Sequence, residues 1–203
     1  WLVDKIAELG GLRYMVNDIG EWYDESCGAL ASTGGGYYTI IQCLGRQVNA
    51  ANLHIIAHEY THWYQYSNGD VPANGPTWLS EGGATFYGIS VAFQETRDEE
   101  KSRLNFLKSF AYTHDFVSGA TPGGFAKQVI GSTEAEFVAI MQELEKSNMG
   151  FMGASRQYLL GNLASEALVA TYGHAKMVEF YESFKISSNW KSSFEGFYGL
   201  AIN

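Results

Sequence analysis

His58-Glu59-Tyr60-Thr61-His62 is the stretch that decides how this chain is read. On a helix, His58 and His62 stand at i and i+4 with Cβ atoms about 5 to 6 Å apart, a span over which two imidazoles can share one tetrahedral zinc ion. Glu59 then lies one residue round from the first histidine. There its carboxylate can take a proton from a water whose pKa the metal lowers to about 7. Coincidence is a weak explanation: with 5 His and 16 Glu in 203 residues, composition alone predicts roughly 0.01 such patterns.

The third ligand is the sharper test, because a catalytic zinc takes three protein groups and keeps one position for water. In the metzincin pattern a glycine and a third histidine follow at fixed offsets, and Gln65 and Asn68 stand there instead, which excludes it. A His₂Glu set needs a carboxylate from a later helix. Trp78-Leu79-Ser80-Glu81-Gly82-Gly83-Ala84 offers Glu81, with eighteen residues between it and His62. His54 falls one turn before His58, but it is about 12 Å along the helix from His62 at 1.5 Å rise per residue. Bonds of about 2.1 Å cannot bridge that span, so His54 is read as a packed or supporting residue.

These two motifs together resemble the gluzincin, or peptidase MA-like, group of zinc peptidases, which includes the M1-type aminopeptidases and the bacterial collagenases. Trp78-Leu79-x-Glu81-Gly82-x-Ala84 and its spacing are similar to the aminopeptidases; His58 to His62 with Glu81-Gly82-Gly83-Ala84 is also similar to the collagenases. The resemblance covers roughly residues 28 to 200. It implies one zinc per chain held by His58, His62 and Glu81, with Glu59 as general base and a peptide or protein as substrate. It also implies an α+β zincin-like fold, in which a small mixed β-sheet lobe lays an edge strand over the active-site helix and a mainly helical lobe follows. Tyr37 to Gln42 is the candidate edge strand for substrate pairing, with an ordinary half-buried strand as the plainer reading. Tyr158, in Tyr158-Leu159-Leu160-Gly161, has a setting similar to that of the aminopeptidases' catalytic tyrosine. It is the candidate donor to the oxyanion, against a plain core or surface role, and His174 is the second candidate. The Gly-x-Met-Glu-Asn-type segment with which aminopeptidases bind the substrate amine has no counterpart near Gly34 to Gln42. Endo- and aminopeptidase action therefore both stay open. The alternative function is a peptidase-like binding or regulatory domain that keeps the zinc site without turnover.

Composition agrees with a soluble hydrolase and excludes other classes. Hydrophobic residues make up 46% of the chain, enough for a core. A net charge of −9 with 13 Lys and Arg argues against nucleic acid, which needs clustered basic residues. No apolar run reaches the length of a membrane span. No signal peptide is visible, and a chain that starts at Trp1 reads as a processed or excised segment; the resemblance implies a fragment truncated at both ends. High aromatic and Gly content with few lysines resembles an exported enzyme. Cys27 and Cys43 lie eight residues either side of Gly35; facing each other across a hairpin they could form a disulfide, and otherwise they are two buried thiols. Gly34 and Gly36 do not open a dinucleotide loop, since Thr39 stands where the third glycine is needed.

Periodicity and punctuation predict one domain over residues 1–203, an α/β lobe at 1–70 and a helical lobe at 71–203. Residues 1–10 and 98–113 read as helices, and Leu12 to Val16 and Ala29 to Ser32 as strands. The metal helix is expected from about Asn52 to Ser67, stopped by Asn68-Gly69, and the Glu81 helix from near Pro76. Gly82 and Gly83 are poor helix formers, and their presence predicts close approach to the metal helix. Thr133 and Glu136 form a capping box before residues 134–146. Ser155 to Thr171 and His174 to Phe184 read as helices parted by Gly173, and the resemblance implies that Trp190 to Gly199 opens a terminal helical hairpin. His114, among aromatic residues, reads as a solvated or core histidine.

Overall fold

The structure is a computed structural model that describes residues 13–15, 39–41, 50–68, 71, 75–94, 131–146, 155–187 and 189–201. Among the described residues six helices dominate: α1 (Ala50–Ser67), α2 (Thr77–Gln94), α3 (Glu134–Lys146), α4 (Ser155–Tyr172), α5 (His174–Ser183) and α6 (Trp190–Tyr198). Two three-residue strands, β1 (Arg13–Met15) and β2 (Thr39–Ile41), form one parallel ladder with Tyr14 opposite Ile40. No helix among the described residues is long and apolar enough to cross a membrane.

The expected α+β zincin-like fold with a β-sheet lobe is overturned, because the described residues are overwhelmingly helical. Within the predicted Tyr37 to Gln42 segment the described residues, Thr39–Ile41, form a strand. The physical reason lies in how the helices bury their surface. α2 packs along α1 on one side and α4 on the other, so among the described residues helix-on-helix contact supplies most of the core around the motif, and the sheet is one short ladder whose β2 touches α1. The sheet lobe was implied by family resemblance, whereas the residue pattern offered only short separate strand segments. The residue 1–10 and 98–113 helices, the Ala29 to Ser32 strand, His114 and the Cys27 to Cys43 pairing lie outside the described residues.

Local signals locate the helix ends. Asn68 closes α1, its backbone N–H and its side-chain amide both donating to the Tyr64 carbonyl at 3.0 Å. The Pro76 carbonyl accepts from Leu79 and Ser80 at the start of α2. At α3 the Thr133 backbone N–H donates to Glu136 Oε2 at 2.7 Å, and the Glu136 N–H donates to Thr133 Oγ1 at 3.3 Å. The reciprocal box read from the sequence is thus formed. Gly173 separates α4 from α5 with φ of 86°, a left-handed value that costs a glycine nothing.

Three glycines inside α2 each cost about 1 kcal/mol relative to alanine, so packing must offset poor propensity. A Cβ on Gly82 would fall onto the Gly161 backbone of α4, and one on Gly83 onto the Tyr181 hydroxyl of α5. The expected close approach to the metal helix is seen at Gly83, whose Cβ would also lie 3.4 Å from Gln65 Nε2 on α1, and not at Gly82, which meets α4. Gly88 comes closer still to α1, since a Cβ there would lie 2.5 Å from the His54 carbonyl oxygen and 3.2 Å from His58 Cβ. Helix α2 is therefore held at backbone distance from both neighbours.

An aromatic core joins α1 and α2 to the C-terminal helices: Trp63, Tyr64, Trp78, Leu79, Tyr87, Met177, Phe180, Tyr181, Phe184, Phe194 and Tyr198 are all buried. Phe180 is fully enclosed, with ring centroids of Phe184, Phe194 and Tyr198 at 5.3, 5.6 and 5.3 Å. Such contacts favour edge-on geometry. Phe180→Ala is expected to cost about 3 to 5 kcal/mol, since the surrounding rings cannot close the void. Chemical denaturation measures this, and a loss under about 1 kcal/mol would show that the cluster is loosely packed. Two polar ties reinforce the join: the Tyr64 hydroxyl donates to Glu182 at 2.7 Å, and Lys185 Nζ donates to Asn68 Oδ1 at 2.8 Å.

Candidate metal centre

Helical phase puts His58, His62 and Gln65 on one face of α1, and Glu81 and Thr85 on one face of α2. Because α1 and α2 pack side by side, the two faces meet. His62 Nε2 lies 3.0 Å from His58 Nε2 and 3.0 Å from Glu81 Oε2, and His58 Nε2 lies 3.3 Å from the same carboxylate oxygen. The three residues predicted as ligands converge on one point. Among the described residues they form the His/Cys/Asp/Glu cluster able to hold a metal ion.

The residues present fit a small divalent cation. Atoms on a tetrahedral centre with bonds of about 2.0 to 2.1 Å are separated by about 3.3 Å, within a few tenths of an ångström of the distances here. The opposite imidazole nitrogens are engaged elsewhere: His62 Nδ1 with Gln65 Oε1 at 2.9 Å, and His58 Nδ1 with Thr85 Oγ1 at 3.3 Å. That leaves both Nε2 atoms facing Glu81. Hydrogen bonding of the far nitrogen is the usual arrangement behind a histidine ligand.

Burial and mutual charge shape the titration of the site. Burial alone would push His62 down, but the Glu81 charge and the hydrogen bond to it prevail and raise His62 to about 9. Burial would likewise raise Glu81, yet the charge on His62 and hydrogen bonds from both histidines hold it well below the usual carboxylate range. His58 is lowered by burial and then by its proximity to His62. Glu59, only 8% exposed, is raised to about 7, chiefly by burial, with Glu81 adding to the rise and His62 opposing it. A carboxylate tuned to that range can both take and return a proton near neutral pH.

Tyr158 of α4 reaches this group. Its ring stacks on His58 at 5.7 Å between centroids with 12° between planes, and its hydroxyl hydrogen bonds to Glu81. Burial, then the neighbouring Glu81 charge, raises its pKa above the ordinary tyrosine value, so the hydroxyl stays a donor. His174 is placed elsewhere, exposed at the first residue of α5 with its ring near Phe86 and Tyr87. His54 is half-buried and not among the converging donors; its carbonyl lies against Gly88.

Two contributors were not singled out as partners from the sequence, Gln65 and Thr85. The available signal was helical phase, three residues after His62 and four after Glu81. In the metzincin comparison Gln65 and Asn68 counted only as absences; in the structure Gln65 bonds to His62 and Asn68 closes α1. Comparison with family models, with curated proteins and with solved structures finds no match to the chain.

Proposed function

We propose that this chain is a zinc-dependent peptidase in which His58, His62 and Glu81 hold the ion and Glu59 is the general base. The observation that carries the reading is the convergence of three ligand atoms within 3.0 to 3.3 Å, supplied by a His-Glu-x-x-His helix and a carboxylate from the helix packed on it. Two imidazoles and a carboxylate make a donor set suited to zinc and used in catalytic sites with an open position. Zinc bound there would act as a Lewis acid and bring the pKa of a bound water to about 7.

The protein's own groups divide the remaining work. Glu59, buried beside the ligands, accepts the proton of the attacking water at its carboxylate and delivers it to the departing amine. The Tyr158 hydroxyl, which in this structure donates to Glu81, would turn to the substrate carbonyl oxygen as negative charge develops there. The Gln65 and Thr85 hydrogen bonds keep the imidazoles from rotating away.

The experiment that tests the reading is elemental analysis of the purified protein beside His58→Ala and Glu81→Ala, followed by profiling against a peptide library. One zinc per chain is expected in the native protein, with loss in both variants. Zinc content indifferent to both changes would sink the ligand assignment. A well-formed zinc site without cleavage of any library peptide would favour a binding domain over a peptidase.

A further inference from the structure

Resting on the metal reading above, we propose that Gln65 is a positioning residue that sets the tautomer of His62 and locks the metal helix to the helix bearing Glu81. Gln65 is fully buried on α1. Its Nε2 donates to the Ser80 backbone carbonyl at 3.0 Å, and its Oε1 lies 2.9 Å from His62 Nδ1.

The chemistry of those two contacts leaves one consistent assignment. A backbone carbonyl oxygen can only accept, so the NH₂ end of the amide faces Ser80. The other end is then an oxygen, which also can only accept. The His62 nitrogen beside it must carry the proton, so in the neutral ring the lone pair lies on Nε2. Nε2 is the atom 3.0 Å from both His58 Nε2 and Glu81 Oε2. One buried amide therefore aims the ligand nitrogen of His62, and the carbonyl holding that amide belongs to the residue immediately before Glu81. Rotation of the His62 ring or sliding of α2 along α1 would each break a bond to the same side chain.

A plain structural role makes a different prediction from a positioning role, and two substitutions separate them. Gln65→Leu keeps the volume and removes both hydrogen bonds. Gln65→Glu keeps an acceptor for the His62 N–H but loses the donor to Ser80. Native protein and both variants are prepared metal-free. Zinc affinity is then read by competition with a chromophoric chelator, thermal midpoint on the metal-free chain, and ligand geometry from the visible absorption of the Co²⁺ form. The expected result is zinc affinity weaker by about 10- to 100-fold in Gln65→Leu, with a changed cobalt spectrum. In Gln65→Glu the affinity stays within about threefold of native although the midpoint falls.

Native affinity in Gln65→Leu overturns the inference. So does a loss of affinity in Gln65→Glu as large as in Gln65→Leu, because affinity would then follow the Ser80 tie and not the bond to His62. If Gln65→Leu does not fold, Gln65→Met, an unbranched and more adaptable side chain that likewise lacks the amide, takes its place with the same expected and overturning results. His58→Ala separates the two levels of reading. Zinc uptake absent from the native chain, or unchanged in His58→Ala, overturns the metal site and this inference with it; uptake lost in His58→Ala but indifferent to Gln65 overturns this inference alone.

Discussion

Glu59→Gln is expected to lower peptide hydrolysis by about 10²- to 10⁴-fold, the usual contribution of a positioned general base, while zinc stays at one per chain. The substitution preserves size and keeps the hydrogen-bonding carbonyl, yet removes the group that can accept a proton. Glu59 is not one of the three converging donors, so the metal has no reason to leave. Its burial makes the expected effect large. In the metal-free site desolvation raises this carboxylate above the ordinary glutamate value, which strengthens it as a base toward water. The measurement pairs initial rates on the best library peptide with zinc content of the same sample. Unchanged hydrolysis in the variant would remove Glu59 from the mechanism. Loss of zinc along with activity would make Glu59 part of the metal site and leave its role as a base without support.

Gly82→Ala is expected to cost about 3 kcal/mol or more, the upper end of overpacking penalties, because the added methyl meets backbone and not a movable side chain. A Cβ on Gly82 would lie on Gly161 and 2.8 Å from the Asn162 nitrogen. Relief requires α2 and α4 to separate along their contact. Domain stabilities run from about 5 to 15 kcal/mol, so this is a large fraction of the whole. The consequence extends to the site, since Glu81 is the neighbouring residue on α2 and Tyr158 sits on α4. Pushing those helices apart should weaken the Tyr158 hydrogen bond to Glu81 and reduce metal affinity as well. Gly196→Ala is the control of opposite sign: nothing lies within 4 Å of a Cβ there, and alanine in an exposed helix should stabilise by about 0.5 to 1 kcal/mol. Denaturant midpoints of the two variants check the pair. Equal and small effects would mean that the close crossing of α2 and α4 does not carry the stability assigned to it.

The ligand set was legible because its evidence is local. His58 and His62 share a face through the 3.6-residue helical period, and the same period puts Thr85 behind Glu81 and Gln65 behind His62. Helix ends were legible for a similar reason: Asn68, Gly173 and the Thr133 and Glu136 box act within a few residues of themselves. The architecture around the motif was not legible. A sheet lobe was expected from resemblance carried by two motifs, and those motifs constrain only the two helices that bear them. Whether a sheet or other helices cover those helices depends on contacts between distant segments. The tight crossing of Gly82 and Gly161 is such a contact.

Tyr158 and Gln65 mark the same boundary from the functional side. Thirteen tyrosines compete for any role assigned by residue type, and only the placement of α4 against α2 brings Tyr158 onto His58 and Glu81. For Gln65, position on the metal helix is a matter of sequence, but its second bond, to the Ser80 carbonyl, exists because α1 and α2 lie side by side. By itself the sequence determined which side chains could serve a metal, through spacing along a helix. The tertiary structure alone decided which of them meet, how their free nitrogens are aimed, and that helices surround them, because these depend on packing between segments far apart in the chain.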